Sequence, residues 1–164
     1  MILKTYRQAE MARITSLDIS WFAGYFACSS GAIEHDNITV YRSSHKLKYK
    51  VYRFPEVEED YCGGITLEQE ENSLIISKEL TEAMFALLEQ ADMEDVFDRS
   101  YEEDIMDGSA WEIRIRYADR TIRRAIGNIS YPPYGEELES LIRTAILDCG
   151  SDLKPQLFVG YEEN

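Results

Sequence analysis

Hydrophobic positions along the 164-residue chain follow two periods, and each predicts a different element. From Lys46 the residues alternate, with Leu47, Tyr49 and Val51 on one side and Lys46, Lys48 and Lys50 on the other. That period of two marks a strand with one buried and one wet face. Trp111, Ile113, Ile115 and Tyr117 alternate with Glu112, Arg114 and Arg116 in the same way. Ala118-Asp119-Arg120 then turns the chain into Thr121 to Ile126, which predicts a hairpin. Ile14 to Cys28, rich in Ile, Trp, Tyr and Phe, predicts another strand, and Ile38 to Arg42 a further one after a turn at His35-Asp36-Asn37. Ile65 to Leu67 and Ser73 to Ser77 read as two short strands around a polar turn, Glu68 to Asn72.

The helical period appears twice. Leu80, Met84, Leu87, Leu88 and Ala91, widened by Phe85, predict a helix over Lys78 to Ala91 with Ser77 as its amino-terminal cap. Leu138, Leu141, Ile142, Ala145 and Ile146 predict a second, closed by Gly150 at a carboxy-terminal cap position. Gly127-Asn128 and Pro132-Pro133 separate it from the hairpin, because proline lacks the donor a strand ladder needs. These elements give an α+β fold: an antiparallel sheet of about six strands with two amphipathic helices on one face. With no repeat or linker in 164 residues, a single domain over 1–164 is expected.

Charge divides this one domain into thirds. The strand-rich segment 1–55 holds eight Lys/Arg and four Asp/Glu, segment 56–110 two and eighteen, and the hairpin-plus-helix segment 111–164 seven and nine. The formal net charge of −14 therefore belongs to the middle. Such a balance argues against general phosphate-backbone binding, which needs Lys and Arg in excess, so no direct nucleic-acid contact is expected. The Lys46, Lys48 and Lys50 stripe is read as the protection of an edge strand. Arg114, Arg116, Arg120, Arg123 and Arg124 are read as partners for the chain's own acids.

Little in the chain points to catalysis. Cys28, Cys62 and Cys149 are widely spaced and odd in number, which fits reduced thiols rather than a disulfide framework. Cys28 and Cys149 sit in apolar runs and are expected in the core. Cys62-Gly63-Gly64 is the most suggestive nucleophile position, because glycines can present backbone donors to an oxyanion, with His35 or His45 as the available histidine bases. The carboxylates Asp104 and Asp107 with Gly108 lack the pattern of a calcium loop, so no metal or other cofactor is expected. No apolar stretch reaches the 20 or so residues of a membrane helix, and no signal-peptide pattern opens the chain; a cytoplasmic protein without membrane contact is expected.

Asp107-Gly108-Ser109-Ala110-Trp111, then Gly127-Asn128 and Tyr131-Pro132-Pro133 before a leucine-bearing helix, resemble a carboxy-terminal signature of small bacterial α+β proteins to which no activity is assigned. The resemblance spans about 40 residues and implies Trp111 in the core and the proline pair setting the entry of the last helix. Such proteins usually carry glycine after the turn aspartate, where this chain has Arg120. The resemblance implies no functional residue.

The remaining candidate is the acidic middle. Carboxylates three or four apart on a helix lie about 4.5–6 Å apart along its axis, and an acidic row can imitate a run of phosphates. The expected partner-binding residues are Glu79, Glu82, Glu89, Asp92, Asp95, Asp98, Glu102, Glu103 and Asp104, with the Asp92-Asp95-Asp98 row requiring the helix to extend. The reading is a non-enzymatic acidic protein engaging a basic partner. Its sharpest form is an inhibitor of a nucleic-acid-binding protein of the phage anti-defence kind, acting by phosphate mimicry. A small cysteine- or carboxylate-dependent hydrolase and an acidic immunity or scaffold protein are the alternatives.

Overall fold

A computed structural model of the chain describes residues 13–22, 34–53, 68–102, 109–128 and 130–159. Among the described residues seven strands are formed: β1 (Ile14–Phe22), β2 (His35–Tyr41), β3 (Lys46–Arg53), β4 (Glu68–Ile75), β5 (Arg99–Tyr101), β6 (Ala110–Tyr117) and β7 (Ile122–Gly127). Two helices lie among the same residues, α1 (Lys78–Met93) and α2 (Gly135–Asp148). The strands lie in one sheet in the order β4-β3-β2-β1-β6-β7-β5. Every pairing is antiparallel except β5 with β7, so the sheet is mixed and has one strand more than the alternation predicts.

Alternation places Leu17 and Ile19 of β1, Ile38 and Val40 of β2, Leu47 and Tyr49 of β3, and Trp111, Ile113 and Ile115 of β6 on a single buried face. Met84, Phe85 and Leu88 of α1 and Leu138, Ile142 and Ile146 of α2 complete the same core cluster. The helices therefore cover one side of the sheet. Trp111 anchors that core: its indole N–H donates to the Ser130 carbonyl at 2.9 Å, and its ring meets Phe158 edge-on at 5.5 Å. Gly127 is required beneath it, since a Cβ there would lie 2.2 Å from the indole ring.

The helix ends follow the capping signals. Ser77 Oγ accepts from the Leu80 N–H at 3.2 Å, as its cap position predicts. At the end of α2, Gly150 takes φ +69° and donates to the Leu147 carbonyl, while the Ser151 N–H reaches Ile146, which is the Schellman arrangement. Gly135 opens α2 packed against Pro132, where a Cβ would meet the ring at 2.7 Å.

Several expectations are corrected. His35-Asp36-Asn37 is not a turn but the start of β2, because Asp36 is buried and satisfied. Its Oδ2 accepts from Tyr49 Oη at 2.6 Å and from the Gln156 N–H at 2.9 Å, and Arg53 bonds its Oδ1. Tertiary partners override the turn propensity of Asp and Asn here. Glu68 to Asn72 is likewise strand rather than turn: β4 is an exposed edge, so it needs no apolar alternation. The lysine stripe does not guard an edge, because β3 lies between β2 and β4. Glutamates on β4 occupy that edge instead. Ile65 to Leu67 and the end of the first predicted strand, 23–28, lie outside the described residues.

Candidate functional site

The helical side collects carboxylates because α1 and α2 spend their apolar stripes on the core and leave polar stripes outward. Between them the two helices and the turn after α1 hold Glu79, Glu82, Glu89, Asp92, Glu94, Asp95, Glu136, Glu137, Glu139 and Asp148 against Lys78 and Arg143. Arginines from the sheet reach up to some of them. Arg42, whose side chain is 11% exposed, donates to Glu82 at 2.9 Å and to Glu89 at 2.6 Å. Its guanidinium also lies 5.2 Å from the Phe85 ring and bonds the Ile14 carbonyl. Glu82, hydrogen-bonded to Arg42, is held below the ordinary carboxylate range. Arg13 approaches the same Glu82 at 3.7 Å.

Arg123 plays the matching part at the other end of α1. It pairs with Asp92 and, at 2.8 Å, with Asp98, whose carboxyl that hydrogen bond lowers. The Tyr117 hydroxyl also donates to Asp92; burial first and this bond second push the phenol well up. One guanidinium between two carboxylates leaves that group net negative.

The row Asp92-Asp95-Asp98 does not form. α1 stops at Met93, and Asp95 and Asp98 take left-handed backbone at φ 56° and 58°. Glu79 is exposed in the first turn of α1, and Glu102 follows β5 in the open. Neither Glu79, Asp95 nor Glu102 forms an ion pair among the described residues, and Glu103 and Asp104 lie outside them.

A feature the sequence did not reveal is an open groove of about 580 Å³ between the helices. Ala83, Ala86, Leu87 and Gln90 of α1 face Glu136, Glu137, Ser140 and Leu141 of α2 across it. It is shallow, with Leu87 and Leu141 half-buried at its base, Ala83 and Ala86 exposed beside them, and on the α2 side two exposed glutamates without an ion pair among the described residues. Residues 83, 86, 87 and 90 share one face by helical spacing, but only the packing of α2 beside α1 makes that face a groove.

The other candidates separate. Cys149 is exposed rather than core, because α2 turns Leu147, Asp148 and Cys149 outward after Ile146; its thiol donates to the Ile75 carbonyl at 3.3 Å. Cys28, Cys62, Asp104, Asp107 and Gly108 lie outside the described residues, among which no group of three metal-ligating side chains occurs. No described helix is long and apolar enough to cross a membrane. Arg114 pairs with Glu112 and Arg123 with the two aspartates, whereas Arg116, Arg120 and Arg124 form no ion pair among the described residues. No family model, curated protein or solved structure matches the chain.

Proposed function

We propose that the protein is a non-enzymatic binding protein whose acidic helical side engages a basic partner. The observation that carries this reading is the groove between α1 and α2, with Leu87 and Leu141 at its base and its rim of Glu136 and Glu137. An amphipathic basic segment matches both features: its apolar face meets Ala83, Ala86, Leu87 and Leu141, and its cations meet the glutamates. Glu79 and Asp95 extend the same negative field along α1, which steers a cationic partner towards the groove. Phosphate mimicry is the narrower form of the reading. It draws on the carboxylates outside ion pairs, since Glu82, Glu89, Asp92 and Asp98 are already engaged by Arg42 and Arg123.

The test is fluorescence anisotropy with a labelled helical peptide of leucine and lysine at helical spacing. Binding is expected to weaken about tenfold in Glu136→Lys/Glu137→Lys and to fall as salt rises, because a rim of exposed charges is screened. Equal affinity in the charge-reversed protein would contradict the proposal. The mimicry form predicts further that duplex DNA competes with a captured basic protein.

A further inference from the structure

The side of the sheet away from the helices has its own chemistry. Register places Lys46, Lys48 and Lys50 of β3, Tyr41, Thr39 and Asn37 of β2, and Ser16, Asp18 and Ser20 of β1 in facing rows. Arg116, Arg114 and Glu112 of β6 and Ile122, Arg124 and Ile126 of β7 continue those rows. Two basic segments far apart in the chain are thus carried on one surface. Four inter-strand steps separate β3 from β7, about 19 Å at the usual 4.7–4.9 Å spacing.

We propose that this face, which no described element covers, binds single-stranded nucleic acid, with Lys46, Lys48, Lys50, Arg116 and Arg124 holding its phosphates and Arg114 exchanging Glu112 for one more. Three carboxylates of the strands share the face and are occupied or peripheral, and Asp98, which lies near Arg124 at the β7 edge, is paired with Arg123. Glu112 pairs with Arg114, Asp18 accepts from Asn37 and from Thr39 at 2.9 Å, and Glu71 lies on the edge strand opposite Lys50. A hollow of about 480 Å³ lies towards one end of the rows, lined by Ser16, Asp18, Thr39, Tyr41, Arg114 and Arg116 among others. That volume suits a base and its sugar. Its lining offers the hydroxyls of Ser16, Ser43 and Tyr41 to base edges.

Aromatic side chains flank the cations at both ends of the rows. Tyr41 is 37% exposed beside the hollow, with Lys48 Nζ 5.8 Å from its ring centre. At the opposite end His35 stacks on Tyr52 at 4.0 Å, with Phe22 at 5.7 Å. An exposed ring beside a cation, as at Tyr41, suits a single strand, since every base has a face to stack. The net −14 does not decide the matter locally. The acids of α1 and α2 lie across the sheet, and the strands themselves carry six cations against three carboxylates on this face.

The experiment is anisotropy of a labelled oligothymidylate of roughly 12 nucleotides at about 50 mM salt, within the site sizes single-strand binders use. Binding is expected, with log K falling against log salt by about 0.7 per phosphate contact. Arg114→Ala/Arg116→Ala should weaken it about tenfold, and Tyr41→Leu several-fold, a loss that charge alone would not produce. Asp148→Asn, on the helical side, should leave it unchanged. If the arginine pair variant does not fold, Lys50→Ala/Arg124→Ala tests the same tract from different strands. Absence of binding, or undiminished binding by the folded variants, would overturn the proposal. So would equal displacement by polyglutamate, or by a mononucleotide at the same phosphate concentration.

Discussion

On the helical side Arg42 and Arg123 each sit between two carboxylates, while on the open side of the sheet Arg116 and Arg124 face solvent with no ion pair among the described residues. The two sides also differ in what lies beneath the charge. Arg42 rests on Phe85 and bonds the Ile14 carbonyl, so its cation is fastened to the core. Arg116 and Arg124 stand on exposed strand positions with no aromatic or core contact of this kind among the described residues. Excess charge of one sign can thus serve two ends within one domain. Where opposite charges converge over the core they tie elements together, and where like charges are left in rows they stay open to solvent.

The largest expected effects come from charges fastened inward. Asp36→Ala removes the acceptor shared by Tyr49, Arg53 and the Gln156 N–H, and is expected to cost about 3 kcal/mol or more, measured by denaturant unfolding. Arg42→Ala should cost about 2 kcal/mol, because charged hydrogen bonds and packing over Phe85 are lost together. A loss under 0.5 kcal/mol in both would erase the difference between the two sides.

pH gives a finer measure. Glu82 and Asp98 are depressed in the folded state, so their contribution is present above about pH 4.5 and 3.8 and fades as pH falls through their lower folded values. Melting temperatures in acid should show this loss, with the Glu82 part missing in Arg42→Ala. Tyr131 moves the other way: its hydrogen bond to Glu139, then burial, push it up to about 12. Its contribution holds below about pH 10 and is lost as pH rises towards about 12, and Tyr131→Phe should flatten that alkaline limb.

The smallest effects belong to the open face and the hairpin. Arg116→Ala and Arg124→Ala should change stability by no more than about 0.5 kcal/mol, as for exposed substitutions away from a packed feature. Arg120 takes φ 72° in the turn between β6 and β7, a conformation glycine adopts without strain. Arg120→Gly is therefore expected to raise stability by about 0.5–1 kcal/mol, seen as a higher melting temperature.

The strands and helices that pack one face on the core were legible because burial imposes a period: β3, β6, α1 and α2 follow their apolar patterns closely. What escaped the pattern was structure held by tertiary partners. Asp36 belongs to a strand because Tyr49, Arg53 and Gln156 satisfy it from distant parts of the chain. β4 has a wet edge and no apolar rhythm, and β5, three residues long, exists through its parallel pairing with β7. The same limit applies to the candidate surfaces. Alternation put Lys46, Lys48 and Lys50 on one face and Arg114 and Arg116 on another, but only strand order makes these a single face. The acids were countable in the sequence; which of them Arg42 and Arg123 would capture was not.

The separation of the two surfaces is tested most directly by mapping backbone amide shifts of the labelled protein while titrating first the basic peptide and then oligothymidylate. The account predicts that the peptide moves Ala83, Leu87, Glu137 and Leu141, and that the oligonucleotide moves Lys48, Tyr41, Arg114 and Arg116. Shifts from both ligands on the same side of the sheet, or oligonucleotide shifts confined to the helices, would contradict it.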